Sequence, residues 1–213
     1  MFVPAETQFG CLTCAGLSRP MPGESVCGDG WNLVGTEACA TVTVVDGIGH
    51  GPLAHAASQL ALQTVERLLD ADPGYPLDRL LRSCHDALRG TRGAALALLR
   101  LQPRLRRLAF AGVGNVAFTG QPRRSGLGIS LPGMVGSTMR TVRVFESELE
   151  PGDQYALWSD GVGSRFRLES NIERSLSDAV QSGIEEHGKH SDDATLVLVR
   201  CAAASAATGA AQC

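Results

Sequence analysis

ACATVTVVDGIGHG, residues 38–51, is a run of small and β-branched residues that ends abruptly in aspartate and glycine. The run from 38 to 45 predicts a strand, because Val and Thr favour extended backbone. Asp46 and the glycines after it predict that the strand stops there, since Asp-Gly favours a turn. The strand therefore brings a carboxylate to the rim of a sheet.

Three helical patterns and a larger number of strand-like runs make up the rest of the chain. Apolar residues recur at spacings of three and four over 53–68, 77–88 and 172–183, which is typical of helices with one buried face. Strand-forming residues dominate the shorter runs at 9–15, 31–34, 94–101, 108–113, 116–119, 141–145, 155–159 and 195–200.

The order of these elements indicates the fold class. Two helices are consecutive and a long series of strands precedes the third, which is unlike the strand-helix alternation of a parallel sheet. We therefore expect an α+β fold, a four-layer α-β-β-α sandwich in which two mostly antiparallel sheets are flanked by helices.

Composition indicates the number of domains and the kind of partner that the chain can have. The 213 residues, 44% of them hydrophobic, suit one core, and we expect one domain over 1–201 and a disordered Ala-rich tail over 202–213. A net charge of −3 with scattered basic residues predicts no nucleic-acid partner. The chain shows neither a signal-peptide pattern nor an apolar run of bilayer length, so we expect a cytoplasmic protein without membrane contact.

Four acidic motifs stand where a strand ends or a turn is forced. Any single Asp-Gly is more often a turn than a ligand, but the pattern of apolar strand, acid and glycine occurs twice. Carboxylate and carbonyl oxygens are the ligands that Mg²⁺ and Mn²⁺ prefer, so the set predicts a metal centre. The motifs are Cys27-Gly28-Asp29, Asp46-Gly47, Ser159-Asp160-Gly161 and Asp192-Asp193.

These motifs, in this order, resemble those of the PPM metal-dependent protein serine/threonine phosphatases, and within that family the bacterial SpoIIE/RsbX branch. The similarity runs from about residue 10 to about residue 200. It is carried by PGESVCGD at 22–29, the 46–51 loop, SDGV at 159–162 and DDAT at 192–195, with further matches at 91–95, 110–115 and 132–136.

The resemblance implies a centre of two Mn²⁺ or Mg²⁺ ions, with room for a third. Asp46 would bridge both ions, and Asp160 would complete the second. Either Asp192 or Asp193 would serve with Asp160; we rank Asp192 first, as the first residue of its motif, and Asp193 would otherwise recruit a third ion. The implied ligands are Asp29 (directly or through water), Asp46, Gly47 (through its carbonyl), Asp160, Asp192 and Asp193.

The catalytic residues implied by the resemblance are Asp46 and Asp160, with His50 as the candidate proton donor. Relatives carry a histidine two residues after the bridging aspartate, where this chain has Ile48. Relatives also hold phosphate with an arginine shortly before the first acidic motif, and here Arg19 and Arg92 are the candidates.

The implied activity is hydrolysis of phosphoserine or phosphothreonine by a metal-activated water. The implied substrate is a phosphorylated regulatory partner, such as a STAS-domain component of a stressosome in stress signalling. One alternative is a catalytically silent PPM-fold module that binds phosphoproteins, and another is an anti-sigma kinase that binds ATP. The complete set of metal-type aspartates favours the enzyme.

Seven irregularly spaced cysteines predict reduced thiols. Cys11 and Cys14 form Cys-x-x-Cys, but residues three apart on a strand point to opposite faces and no second pair follows. We therefore expect two separate core thiols.

Overall fold

The computed structural model describes residues 3–122, 127–168 and 174–202. Within those ranges it contains ten strands, three α-helices and one short 3₁₀ turn. The strands are β1 (Ala5–Phe9), β2 (Leu12–Arg19), β3 (Asp29–Gly35), β4 (Ala40–Gly47), β5 (Ala94–Gln102), β6 (Arg107–Val113), β7 (Ala117–Gln121), β8 (Phe145–Glu148), β9 (Gln154–Trp158) and β10 (Ala194–Cys201). The helices are α1 (Gly51–Ala71), α2 (Leu77–Ala87) and α3 (Leu176–His187), and the 3₁₀ turn is Pro103–Leu105.

The strands form two sheets of five. Sheet A has the order β1-β2-β10-β9-β7 and sheet B the order β3-β4-β5-β6-β8. Every pair of neighbouring strands is antiparallel. Helices α1 and α2 pack on sheet B, and α3 packs on sheet A. The predicted α-β-β-α sandwich is confirmed.

Apolar side chains fill the three interfaces between the four layers of helices and sheets. Val44 and Phe110 of sheet B meet Leu157 and Val197 of sheet A between the sheets. Val45, next in sequence to Val44, points instead to the layer under α1 and α2. Strand β4 is buried on both faces, which explains why its sequence is apolar or β-branched at nearly every position.

The boundaries of several predicted elements differ from those observed. The run predicted as one strand at 9–15 is divided between two: Phe9 ends β1 and residues 12–15 begin β2, because Gly10 adopts φ +57° and a turn there separates the strands. The strand predicted at 141–145 is wrong, since only Phe145 of that run lies in a strand. Val142 and Val144 do pack against the apolar layer under the helices, so burial without strand pairing produced the misleading pattern.

The third helix begins later than its apolar pattern indicated. Ser175 is its N-cap, and the Ser175 Oγ accepts a hydrogen bond from the Asp178 amide. Glu6, on the neighbouring edge strand, also accepts a hydrogen bond from the Ser177 amide at 2.9 Å. Ile172 and residues 203–213 of the predicted tail lie outside the described ranges. None of the helices in those ranges combines the length and hydropathy that crossing a bilayer requires.

The two sheets approach each other closely where Gly16 of β2 meets Trp31 of β3. A Cβ at Gly16 would lie 2.4 Å from Trp31 Cε2. We expect Gly16→Ala to lower the free energy of unfolding by about 1–3 kcal/mol in urea titrations, because the indole must move out of a packed layer. The control is Gly74→Ala on an exposed turn, where the nearest atom is an Asp72 carboxylate oxygen at 3.2 Å. Equal losses in both variants would contradict this explanation.

Candidate metal centre

Two of the predicted ligands lie side by side at one edge of sheet B. Asp29 opens β3 and Asp46 lies one residue before the end of β4, and the two are direct cross-strand partners. Asp29 is only 4% exposed. The Oδ2 atoms of both carboxylates are buried and have no hydrogen-bond partner within the described residues. Each of these two carboxylates therefore has one buried oxygen that the described part of the chain does not satisfy.

The other three aspartates lie at one edge of sheet A. Asp160 follows β9, and Asp192 and Asp193 directly precede β10, which is antiparallel to β9. The pairing continues past the strands, because the Ser159 amide donates to the Thr195 carbonyl at 3.0 Å and the Thr195 amide donates to Ser159 Oγ at 2.9 Å. The aspartates at 160 and 192–193 are distant in sequence, but they thus lie at the same end of the β9–β10 pair.

The two edges meet in one electrostatic cluster. Burial, and then the charges of Asp160 and Asp192, raise the pKa of Asp46 to about 7. Burial and the charge of Asp46 raise the pKa of Asp29 well above its usual value. The pKa of Asp192 is raised by burial and by Asp160. Carboxylates from both sheets are therefore close enough to destabilise one another's charged forms.

Asn115 joins the two sides of this cluster, a role that its sequence position alone did not predict. Its Nδ2 donates to Asp160 Oδ2 at 2.7 Å, and a hydrogen-bond interaction with Asp46 offsets part of the rise in that carboxyl's pKa. Asn115 lies in the crossover from sheet B to sheet A, directly after Gly114 at φ +100°. The sequence did carry a signal for Asn115: a glycine and a polar residue directly follow an apolar strand, as a glycine and an acid do at Asp46 and Asp160.

Asp193 has a different environment from Asp192. Its Oδ1 accepts a hydrogen bond from the Met21 amide at 2.8 Å, and its Oδ2 accepts one from the Gly28 amide at 2.9 Å. Asp193 is 2% exposed, whereas Asp192 is partly exposed. Asp193 thus ties the edge of sheet A to the segment that precedes Asp29, and Asp192 is left facing Asp160.

Close approach of backbone explains the glycines after Asp46 and Asp160. A Cβ at Gly47 would lie 2.4 Å from the Ala54 carbonyl oxygen, and a Cβ at Gly161 would lie 1.7 Å from the Asp193 carbonyl oxygen. Neither glycine has a positive φ. Glycine is required here because other segments pack against the chain, and not because a left-handed turn is needed.

Comparison with known proteins identifies the family. The family model for Stage II sporulation protein E (SpoIIE) matches residues 36–202, which is most of the chain. The chain belongs to the SpoIIE family. This membership confirms the family predicted from the aspartate motifs, and the chain is a PPM-type phosphatase domain.

Individual relatives of this SpoIIE-family chain agree in fold. Phosphoserine phosphatase RsbX of Bacillus subtilis (strain 168) is 24% identical over 142 residues, which cover 66% of this chain and 69% of RsbX. A structure of RsbX in complex with magnesium has a TM-score of 0.78 at 19% identity, covering 92% of this chain and 98% of that one. A chain from a study of the bacterial stressosome as a modular system has a TM-score of 0.79 at 28% identity, covering 89% and 99%.

The other predicted site residues of the SpoIIE-family domain lie around the cluster. His50 is the N-cap of α1, and its Nδ1 lies 2.6 Å from Glu24 Oε1 at a half-exposed position. Arg19 donates through Nη2 to the Lys189 carbonyl, so it supports a loop. Arg92 is exposed, and its Nη1 lies 2.7 Å from where a Cβ on Gly49 would stand. Arg92 is therefore the candidate cation beside the loop that follows Asp46.

The chemistry of the donors fits hard divalent cations. Within the described residues, no group of three or more His, Cys, Asp or Glu side chains is arranged to hold a metal ion. Mg²⁺ nevertheless retains several waters and binds through one or two carboxylates, so three side chains per ion are not required. The Oδ2 atoms of Asp29 and Asp46, which have no hydrogen-bond partner in the part of the chain that the structure describes, are oxygen donors of the required kind. The SpoIIE-family site thus offers oxygen donors of a kind that suits cations that keep part of their hydration shell.

Proposed function

We propose that this domain is a Mn²⁺- or Mg²⁺-dependent protein phosphatase that hydrolyses phosphoserine or phosphothreonine. One observation carries the proposal: aspartates from both sheets meet at one rim, and within the described ranges one buried oxygen each of Asp29 and Asp46 lacks a hydrogen-bond partner. Such a cluster is unfavourable until cations neutralise it. Similarity to the phosphoserine phosphatase RsbX supports the same conclusion.

The proposed roles follow the positions of the residues. Bound divalent ions would lower the pKa of a water and neutralise charge on the phosphate. Asp46, central in the cluster, would hold both ions, with the Gly47 carbonyl beside it. Asp160 and Asp192 would hold the second ion, and Asn115 would keep Asp160 oriented. Asp29 would bind directly or through water.

Asp193 and His50 have more peripheral parts in this proposal. Asp193 already accepts two backbone hydrogen bonds, so two ions can be held without it, and a third would have to compete with those bonds. His50 would protonate the departing serine or threonine oxygen. Because its Nδ1 is engaged by Glu24, Nε2 is the nitrogen available for that transfer.

We infer that the substrate is a phosphorylated regulatory protein, of the kind found among STAS-domain stressosome components, and that the domain acts in the cytoplasm. Similarity to a chain from a study of the bacterial stressosome, at 28% identity over 89% of this chain, supports this choice of partner. The net charge of −3 leaves no strong field that would select nucleic acid.

Phosphate release tests the proposal. The purified protein is incubated with peptides carrying phosphoserine, phosphothreonine or phosphotyrosine, in Mn²⁺, Mg²⁺ or a chelator. We expect metal-dependent release from phosphoserine or phosphothreonine and none in the chelator. Phosphopeptide binding without release in either metal would instead support the silent binding module. ATP binding with transfer of phosphate to a protein would support the kinase.

Arg92 is expected to orient the phosphate of the substrate. An arginine donates two parallel hydrogen bonds to a phosphate, and Arg92 lies beside the loop that follows Asp46. We expect Arg92→Ala to raise KM for a phosphoserine peptide about 10- to 100-fold, the effect of losing hydrogen bonds to a charged group. The control is Arg89→Ala, which removes an exposed arginine that pairs with Asp86. A larger rise in KM for Arg19→Ala would assign the phosphate to Arg19 instead.

A further inference from the structure

The turn between β1 and β2 places Cys11 beside the last strand of the chain. Cys11 Sγ lies 3.9 Å from Cys201 Sγ, although the two residues are 190 positions apart. Leu12 is the direct cross-strand partner of Cys201, and the Ala202 amide donates to the Cys11 carbonyl at 2.7 Å. The two cysteines therefore stand on adjacent, hydrogen-bonded segments, one position out of direct pairing.

The neighbour of Cys11 in space is not its neighbour in the Cys-x-x-Cys motif. Cys14 lies within β2, opposite Val199, and is 1% exposed. Cys11 precedes β2, is partly exposed, and packs against the apolar layer between the sheets that also contains Cys201. The turn at Gly10 thus separates the two cysteines of the motif and brings Cys11 to Cys201.

We propose that Cys11 and Cys201 are an oxidisable dithiol that closes to a disulfide when a peroxide is present. A disulfide bond is about 2.05 Å long, so side-chain rotation and a small approach of two hydrogen-bonded segments must close the gap. Hydrogen peroxide would convert the accessible Cys11 thiol to a sulfenic acid and release one water. The Cys201 sulfur then attacks the Cys11 sulfur, the S–O bond breaks, and a second water leaves. Two thiols and one peroxide thus yield one disulfide and two waters.

This cross-link is expected to act on stability and not on the metal centre. It would close a loop of nearly the whole chain, which restricts the unfolded state. The predicted ligands Asp192 and Asp193 precede the opposite end of β10, and a strand rises about 3.3 Å per residue, which puts Cys201 more than about 20 Å away. Oxidation should therefore raise Tm and leave phosphate release unchanged.

The test is titration of the whole chain with hydrogen peroxide, followed by digestion without reductant and tandem mass spectrometry. Trypsin cleaves after Arg200 and leaves Cys201 and Cys213 on one peptide, so a Cys213→Ser background is used. Fragmentation between Cys11 and Cys14 then identifies the linked sulfur. We expect a Cys11–Cys201 cross-link and a rise in Tm of roughly 5–10 °C, both reversed by dithiothreitol.

Three variants separate the outcomes. Cys11→Ser, at a partly exposed position, should abolish the cross-link and the rise in Tm, and Cys201→Ser should do the same. Cys39→Ser removes a thiol whose neighbour is the Pro73 carbonyl and should preserve both effects. Cys11 joined to another cysteine, Cys11 over-oxidised without a cross-link, or an unchanged Tm after cross-linking would each overturn the proposal.

Discussion

Asp46→Asn is expected to reduce kcat/KM for a phosphoserine peptide by more than about 100-fold. Removing a residue that merely supports a metal ligand typically costs about 10- to 100-fold, and Asp46 is proposed to be a ligand itself. The amide keeps the size of the side chain but loses the charge that would hold two cations. Asp46 has this central place because it pairs with Asp29 in sheet B and is close to the charges of Asp160 and Asp192 from sheet A. Phosphate release at saturating Mn²⁺ measures the loss.

The same substitution should have the opposite effect on the metal-free protein. The pKa of Asp46 is raised to about 7, so between about pH 4 and pH 7 the folded protein holds a proton that the unfolded chain has lost. Stability of the metal-free wild type therefore falls as pH rises through this window. Asp46→Asn should be more stable at pH 8 in a chelator, and its stability should depend less on pH.

Asp70→Asn is the matched control, because Asp70 lies on the exposed side of α1. It should leave kcat/KM and the pH dependence of unfolding unchanged. Full activity of Asp46→Asn, or a loss of its metal-free stability, would show that Asp46 is not a buried carboxylate that needs cations.

Asp193→Ala is expected to unfold far more easily than Asp192→Asn. Asp193 accepts hydrogen bonds from the Met21 and Gly28 amides, and the alanine variant would leave both donors without that partner. The expected cost is about 2–5 kcal/mol in the free energy of unfolding, because buried hydrogen bonds to a charged group are lost. Activity should fall with it, since the Gly28 amide precedes Asp29 directly. Urea titration in a chelator measures the difference.

Asp192→Asn should lower the affinity for metal and leave the stability of the metal-free protein nearly unchanged. Its carboxylate is partly exposed and faces Asp160, so its removal should change metal-free stability by less than about 1 kcal/mol. The apparent affinity for Mn²⁺, read from the metal-induced rise in Tm, should drop instead. Greater destabilisation of Asp192→Asn than of Asp193→Ala, together with a larger loss of Mn²⁺ affinity in Asp193→Ala, would reverse the assignment of anchor and ligand.

The fold was largely predictable because its elements depend on short-range patterns. Val and Thr before Asp46 specify a strand that is buried on both faces, and the helical spacing after it predicted α1 closely. The errors at 9–15 and 141–145 have different origins. At 9–15 the turn at Gly10 divides one apolar run between two strands, and at 141–145 apolar character reports burial without strand pairing. Val142 and Val144 are packed against the helix layer without belonging to a strand.

Patterns of consecutive residues were enough to predict that several strands end at an aspartate, because a strand and the turn after it are formed by neighbouring residues in the sequence. They could not distinguish Asp192 from Asp193 or reveal Asn115. Both depend on residues that are distant in the sequence. Asp193 meets Gly28 only when the two sheets pack, and Asn115 meets Asp160 only when β7 pairs with β9. The pairing of β2 with β10 inside sheet A likewise explains why Cys11 lies beside Cys201 and not beside Cys14.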